Sequence, residues 1–489
     1  MRAGDRVRHR LHGSGTVLDL RVGLRAKIRF DAAPNLPRTV SRRDLEALER
    51  DAAPPGRPRA TSRGQDARVA REARASARPS GNGRVALPGA RVVQAPAPPP
   101  PASAEELADL RQTIEALRLG VVPARHVKEY TVARDREIAS LEGVLGAGGG
   151  FRLLWGDYGN GKTHLLEVAE RIALERGLVT SRVTLDPVEV SPAHPKRLYR
   201  AIVSSLTYPG DGGRGLEPLM DRLEGSPDHR SPGGDRFSRF FSPYLFALER
   251  GDEELVGWVR DYVNADNMDG GDVDAVLRRF GWTGPRILAL SDFRTYGRLY
   301  VHMVGTLAAW ARDAGFRGLV LLLDEVEGID QYPRVLAEYA RQALMHFAAV
   351  AVPREHLSFD PDSHGELYRG GHSVHRDIPL KFRTDQPLGV VFAMTPLAEI
   401  EAVFRSIVSS EGYGVPLAAL TEADTAQLRQ RIVALYRRAH PAFAFPRDGS
   451  RRLAGRIDEL LESGAGSPRD VVRWSVFLLD ELRLARRIA

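Results

Sequence analysis

Eight consecutive residues carry the sharpest chemical signal in this 489-residue chain. Gly156-Asp157-Tyr158-Gly159-Asn160-Gly161-Lys162-Thr163 matches G-x-x-x-x-G-K-[ST] at every fixed position. The chemistry requires these types. The glycines let backbone N–H groups close around phosphate oxygens with no Cβ in the way. A helix opening at His164-Leu165-Leu166 adds its N-terminal dipole and free donors. Lys162 then reaches the β/γ-phosphates, and the Thr163 hydroxyl is placed for Mg²⁺. Chance gives such a match in roughly one chain of this length in 200, before the flanking pattern is imposed. The whole run, with His164 after it, is the expected nucleotide cradle.

Two further segments complete a phosphate site. Gly318-Leu319-Val320-Leu321-Leu322-Leu323-Asp324-Glu325 is an apolar strand ending in two acids. Ligands of open α/β sheets bind at strand ends, so Asp324 is expected in the Mg²⁺ shell and Glu325 as general base for the attacking water. The bland reading of adjacent acids is a helix cap. Leu388 to Met394 is a third apolar strand, ending in Thr395. That hydroxyl is expected to touch the γ-phosphate or the water; Pro396 after it also suits a helix N-cap.

The elements that must hold these residues follow from apolar spacing. Phe151-Arg152-Leu153-Leu154-Trp155, bounded by glycines, predicts a buried parallel strand before the phosphate loop. Helices are expected from Ala104, with Leu107, Leu110, Ile114 and Leu117 in phase, and over about 134–145. A strand at 179–185 is followed by a long insertion, about 191–300, with helical stretches at 244–250 and 253–263 and the aromatics Phe237, Phe240, Phe241 and Trp258. Mixed charge there argues against a nucleic-acid groove and for a helical partner-binding lid. After Thr395 come a helix at 397–408, a strand at 415–418 and a helical segment from Glu422. The fold class expected is α/β, a parallel-sheet P-loop ATPase core with a helical insertion and a helical C-terminal lid.

This order of parts resembles the AAA+ ATPases, particularly their origin-recognition-like branch. Val132-Ala133-Arg134-Asp135-Arg136-Glu137 looks like that branch's lead-in motif near the adenine. Ser467-Pro468-Arg469-Asp470 opens a helix in which Arg469 matches the sensor-2 arginine that reaches from the lid to the γ-phosphate. For the arginine finger, Arg405 is the first candidate and Arg376 and Arg383 are alternatives. The phosphate loop with His164 after it, together with Asp324-Glu325-Val326-Glu327, is similar to the ATP-binding proteins of BREX phage-defence systems, the BrxD-like family. The resemblance covers about residues 125–485. It implies ATP with Mg²⁺, slow hydrolysis, and action alongside defence partners such as a helicase or a methyltransferase. The 162 residues from Lys162 to Asp324 exceed what one strand–helix–strand step needs.

The N-terminal fifth is different. Residues 1–50 hold twelve Lys/Arg against six acids, and residues 51–103 hold nine Arg against three. The net charge of the chain is only +7, so the remainder carries −5. Sixty-five Arg stand against five Lys, a coding-bias skew that weakens Arg abundance as a phosphate signal. Alternation at Thr16 to Leu20 and Lys27 to Phe30, with a turn at Gly13-Ser14-Gly15, predicts short strands over 1–50. The pattern resembles the small SH3/Tudor-like barrel at the C-terminus of UvrD-type helicases, which docks on protein or nucleic acid. Residues 51–103, rich in Pro, Arg and Ala, predict a disordered linker. The division expected is therefore 1–50 barrel, 51–103 linker, 104–418 ATPase domain, and 419–489 helical lid or winged-helix-like domain. DNA contact is expected through 1–103 or through the lid arginines Arg429, Arg431, Arg437 and Arg438. A homo-oligomer is also allowed.

With no cysteine, thiol catalysis and disulfide or Cys-metal scaffolds are excluded. His356, His364, His372 and His375 lie in a polar loop; His372 and His375 could in principle bind metal, but a partner-facing loop is the expectation. No apolar run approaches membrane-spanning length and no signal-peptide core is present, which predicts a cytoplasmic protein.

Overall fold

The computed structural model divides into two compact units, Met1–Pro101 and Ala102–Ala489. In the first it describes the backbone of five strands. From 103 to 488 it describes all residues except 147–148, 211, 267–268, 359–377, 397–411, 444, 447 and 463–466, and no side chains at 450, 458, 460–462 and 485–488. The linker expected at 51–103, except Ser103, which caps the following helix, and the helix expected at 397–408 lie outside the described residues.

The first unit is an antiparallel sheet of β1 (Arg6–His9), β2 (Gly13–Arg21), β3 (Arg25–Phe30), β4 (Arg38–Ser41) and β5 (Leu45–Ala47). Its order is β4-β3-β2-β1-β5. The alternating segments pair directly, with Val17 opposite Ile28, and the register shifts between Val17 and Asp19. Such an irregularity sharpens local twist.

The second unit is built on a six-stranded sheet ordered β11-β6-β10-β9-β7-β8. Its strands are β6 (Gly150–Trp155), β7 (Val179–Thr184), β8 (Leu206–Thr207), β9 (Leu319–Asp324), β10 (Leu388–Met394) and β11 (Gly414–Pro416). All pairings are parallel except β7 with β8. β9 and β10 are buried along their whole length, so their apolar runs lack polar alternation, as strands covered on both faces must. Alternation survives in which core each side chain enters. Leu319, Leu321 and Leu323, with Val390 and Phe392, join one apolar cluster; Val320 and Leu322, with Val391 and Ala393, join another.

The first cluster takes the insertion. Helices α4 (Pro195–Ser204), α5 (Glu217–Leu223), α6 (Pro227–Arg230), α7 (Ser242–Arg250), α8 (Glu253–Val263), α9 (Gly270–Arg279), α10 (Gly297–Asp313) and α11 (Arg334–Ala351) gather on that face. Phe240 and Phe241 are fully buried there, so these aromatics are core and not an exposed partner surface. Polar tips are satisfied on backbone: Tyr199 OH donates to Val263 O at 2.7 Å and Trp310 Nε1 to Arg236 O at 3.0 Å. The second cluster holds α1 (Ala104–Leu119), α2 (Asp135–Gly146) and α3 (Lys162–Glu175) with the C-terminal helices α12 (Glu422–Ala439), α13 (Gly449–Glu462) and α14 (Pro468–Ile488). Leu110, Ile114 and Leu117 of α1 pack with Leu428, Ile432 and Leu435 of α12. Sequence-distant ends are thus joined over the sheet. No helix among the described residues is long and apolar enough to cross a membrane.

Two buried histidines make the insertion acid-sensitive. His302 sits in α10 with Nδ1 at 2.9 Å from Pro379 O, and burial, helped by Arg298 and Arg239, pushes it down to about 4. His229 is bonded through Nε2 to Asp313 at 3.0 Å, yet burial still lowers it, aided by Arg236 and Arg383. The unfolded chain protonates its histidines near 6.5. Below that pH the unfolded state binds more protons, so stability is full above 6.5 and is lost as pH falls toward 4. The expected cost approaches about 1.4 kcal/mol per histidine per pH unit. The melting temperature should hold between pH 8 and 7 and fall between about 6.5 and 5, a window above ordinary carboxylate titration. A melting curve unchanged from pH 7 to 5 would contradict this account.

Candidate functional site

The phosphate loop leaves β6 at Gly156 and enters α3 at Lys162. Gly159 and Gly161 adopt φ of 82° and 95°, the left-handed region in which a side chain is strained. At Gly159 a Cβ would also lie 2.7 Å from Ser467, at the start of α14. Gly156 N donates to Met394 O at 3.3 Å, tying the loop to β10. Because β10 lies between β6 and β9, the ends of all three strands meet at one point.

At that point the polar side chains converge. Lys162 is buried, and its ammonium donates to Gly156 O at 2.8 Å, Asp157 O at 3.3 Å and Thr395 Oγ1 at 3.2 Å. Thr163 Oγ1 donates to Asp324 Oδ2 at 2.6 Å, and Asp324 Oδ1 accepts from Glu325 N at 3.0 Å. Burial pushes the Asp324 carboxyl above its ordinary range, against the pull of these bonds. Glu325 is exposed and sits at φ 59°, a conformation that costs a non-glycine residue of order 1 kcal/mol and clusters at functional sites. Burial and then Asp324 and Glu327 raise its carboxyl too. Thr395 Oγ1 in turn donates to Glu327 Oε1 at 2.7 Å.

Lys162, Thr163, Asp324, Glu325 and Glu327 line one end of a cavity of about 670 Å³, and Thr395 is joined to it through Lys162 and Glu327. The other end is apolar, walled by Leu117, Val121, Val122, Val132, Leu420 and Val472. A polar end beside an apolar slot is the form of a site for a ligand with a charged tail and a flat ring. His164 supports the slot from behind. The Thr131 hydroxyl donates to Val127 O at 2.8 Å, so it accepts from His164 Nε2 at 2.9 Å. That fixes a neutral imidazole protonated on Nε2; burial and Arg134 push it down to about 4. Its ring also lies 4.9 Å from that of Tyr130.

The lead-in motif is a clamp. Arg134 donates to Glu137 Oε1 (3.0 Å), Ala418 O (2.8 Å) and Asn160 O (3.1 Å), and both partners of the ion pair are buried. It ties the phosphate loop to the exit of β11. Arg469 Nη1 donates to Tyr158 OH at 2.8 Å, with its guanidinium 5.8 Å from that ring. It therefore stands at the mouth of the cavity, over the loop. Arg405 and Arg376 lie outside the described residues. Arg383 is paired with Asp313 at 3.4 Å and does not line the cavity. His364, His372 and His375 lie outside the described residues; among those described, no group of three or more His, Asp or Glu side chains that could hold a metal ion occurs.

The sequence reading missed Glu327 as a partner of Thr395, though its acid stood three residues after Asp324. It also missed the apolar slot. Its walls come from Leu117 to Val122, Tyr130 to Val132 and Leu420 to Val472, which no local pattern connects. No cavity-lining residue comes from the described residues of 191–300, so the insertion braces a sheet face and leaves the cavity to the lid helices.

Residues 107–223 match the family of the BREX system ATP-binding protein BrxC/D. That span runs from within α1 through the lead-in clamp, the phosphate loop and α3 to the end of α5. No curated protein and no solved structure matches the chain.

Proposed function

We propose that this chain binds ATP with Mg²⁺ and hydrolyses it slowly, as an AAA+-type ATPase of a BREX-type anti-phage system. The observation that carries the reading is the convergence of Lys162, Thr163, Asp324 and Thr395 at three adjacent strand ends, where the first three line a cavity with an apolar slot. The slot takes the adenine and the loop N–H groups of Gly159 to Thr163 take the phosphates. Lys162 exchanges carbonyl partners for β/γ-phosphate oxygens, and Arg469 swings from Tyr158 to the γ-phosphate. Thr163 and Asp324 fit a magnesium site: Thr163 spends its hydrogen on Asp324, which leaves its lone pairs open, and the buried carboxylate has no cationic partner within bonding distance among the described residues. A Mg²⁺ ion there would neutralise phosphate charge. Glu325 takes a proton from the attacking water.

Binding is tested directly. A ligand at about 100 times its dissociation constant stabilises the native state by roughly 2.7 kcal/mol, which raises the melting temperature measurably. Mg-ATP at millimolar concentration that leaves the melting temperature of the intact chain unmoved would sink the reading.

A second reading is an ATP-gated switch with incidental turnover. It is favoured by the direct packing of the lid on the phosphate loop, with Ser467 against Gly159 and Arg469 on Tyr158. DNA-stimulated turnover supports the first reading; nucleotide-gated partner capture with negligible turnover supports the second.

Nucleic-acid contact is assigned to the N-terminal unit. Residues 1–103 carry +12 while the rest carries −5, and attraction to phosphate is a summed-charge effect that decays within about 8 Å at physiological salt. A chain starting at Ala104 should keep its ATPase activity, because every phosphate-site residue lies beyond it. It should lose most salt-sensitive DNA binding, with a shallower dependence of log affinity on log salt. An unchanged slope would move the contact to Arg429, Arg431, Arg437 and Arg438 of α12.

A further inference from the structure

Glu327 is the one acid of the cavity that the ATPase reading leaves without a task. It lies in the 3₁₀ turn Val326–Gln331 after β9 and faces the cavity. Its Oε1 accepts from Thr395, and its Oε2 is buried without a hydrogen-bond partner among the described residues. An unpartnered buried carboxylate oxygen is costly. Thr395 has one hydroxyl hydrogen, and it is given to Glu327; its oxygen accepts from Lys162. In this arrangement Thr395 has nothing to donate to a γ-phosphate. Glu327, Thr395 and Lys162 form a chain that must open before the site can read that phosphate.

We propose that Glu327 is a positioning residue that makes the site discriminate ATP from ADP. The inference rests on the ATP reading above and adds a task for this site. In the free site Glu327 holds Thr395 and, through it, Lys162. The γ-phosphate of ATP accepts from both, so Thr395 turns away and Glu327 loses the hydrogen bond that Thr395 gives it. ADP lacks that phosphate and leaves the chain closed. Once released, Glu327 presents two open oxygens on the cavity wall that also bears Glu325, where they can accept the attacking water's second hydrogen and orient it. Binding of ATP is thereby weakened, and turnover strengthened, by the same side chain.

The test measures affinity for ADP and for a β,γ-imido ATP analogue, with kcat for ATP, on the intact chain and on Glu327→Ala and Glu327→Gln. Glu327→Ala frees Thr395 and removes a negative charge, so analogue affinity should rise about three- to tenfold while ADP affinity stays within about twofold. Its kcat should fall about tenfold or more, as expected when water orientation is lost. Glu327→Gln keeps an acceptor oxygen and should shift the affinity ratio in the same direction by less, with kcat also reduced. Adding Thr395→Ala to Glu327→Ala should cancel most of the gain in analogue affinity, because the freed hydroxyl is the group that donates to the γ-phosphate. Equal changes for the two nucleotides, or kcat within about twofold of the unsubstituted chain, would overturn the proposal. Failure of the unsubstituted chain to bind either nucleotide would instead overturn the ATP reading. Should Glu327→Ala fail to fold, the isosteric Gln variant carries both readouts.

Discussion

Lys162→Ala abolishes ATP binding, by roughly a hundredfold or more in affinity. The ammonium is buried, and its partners are two backbone carbonyls and one hydroxyl, all neutral. Carbonyl oxygens of the loop hold the side chain in place and present its charge to the cavity. Phosphate oxygens would convert these into charge-assisted bonds, each worth about 1.5–3 kcal/mol, in a site partly shielded from water. Removal of the amine leaves Gly156 O and Thr395 Oγ1 able to pair with water, so the fold should survive with a melting temperature near that of the unsubstituted chain. Affinity is read by calorimetric titration with Mg-ATP. Retained affinity would show that the cavity binds through its apolar slot alone, and the phosphate assignment would fall.

The same residues show what was legible in the chain. β9 and β10 were readable because both faces are covered, so their apolar runs are unbroken and stop at a polar residue; Asp324 and Thr395 mark those stops. The phosphate loop was readable because its geometry demands glycine at fixed positions. Parallel strands permit residues 162, 324 and 395 to meet, since every strand end points to one side of the sheet. What stayed hidden depends on long-range closure. Leu117 looks like any core residue of α1, and only its packing under α12 turns it into a cavity wall. Glu327 looks like a solvated acid in a turn, and only the insertion of β10 beside β9 brings Thr395 to it. The insertion's Phe240 and Phe241 are buried against α10, a helix whose apolar residues surround it on all sides. The N-terminal strands were visible in alternation alone, the period of two that a strand imposes on its side chains.

Glu325→Gln separates binding from turnover. The side chain is exposed while Asp324 beside it is buried, so the two acids differ in environment and in task. Asp324 is committed to Thr163 and to the backbone N–H of Glu325. Glu325 lies on the cavity wall, lifted there by a left-handed backbone that a helical φ would not reproduce. Its carboxyl is raised by partial desolvation at the cavity wall and by the charges of Asp324 and Glu327, which makes it a better proton acceptor than an ordinary glutamate near neutral pH. Glutamine keeps the shape and the hydrogen-bonding reach and removes the basicity. ATP affinity should therefore stay within about threefold, since the loop and Lys162 remain, while kcat falls by about 10²- to 10⁴-fold, the range of general-base contributions. Single-turnover hydrolysis with excess protein over ATP measures the chemical step free of product release. Loss of ATP affinity in step with kcat would make Glu325 a binding residue. Turnover that persists in Glu325→Gln but stops in Glu327→Gln would move the proton acceptor two residues along the same turn, to the acid that Thr395 holds.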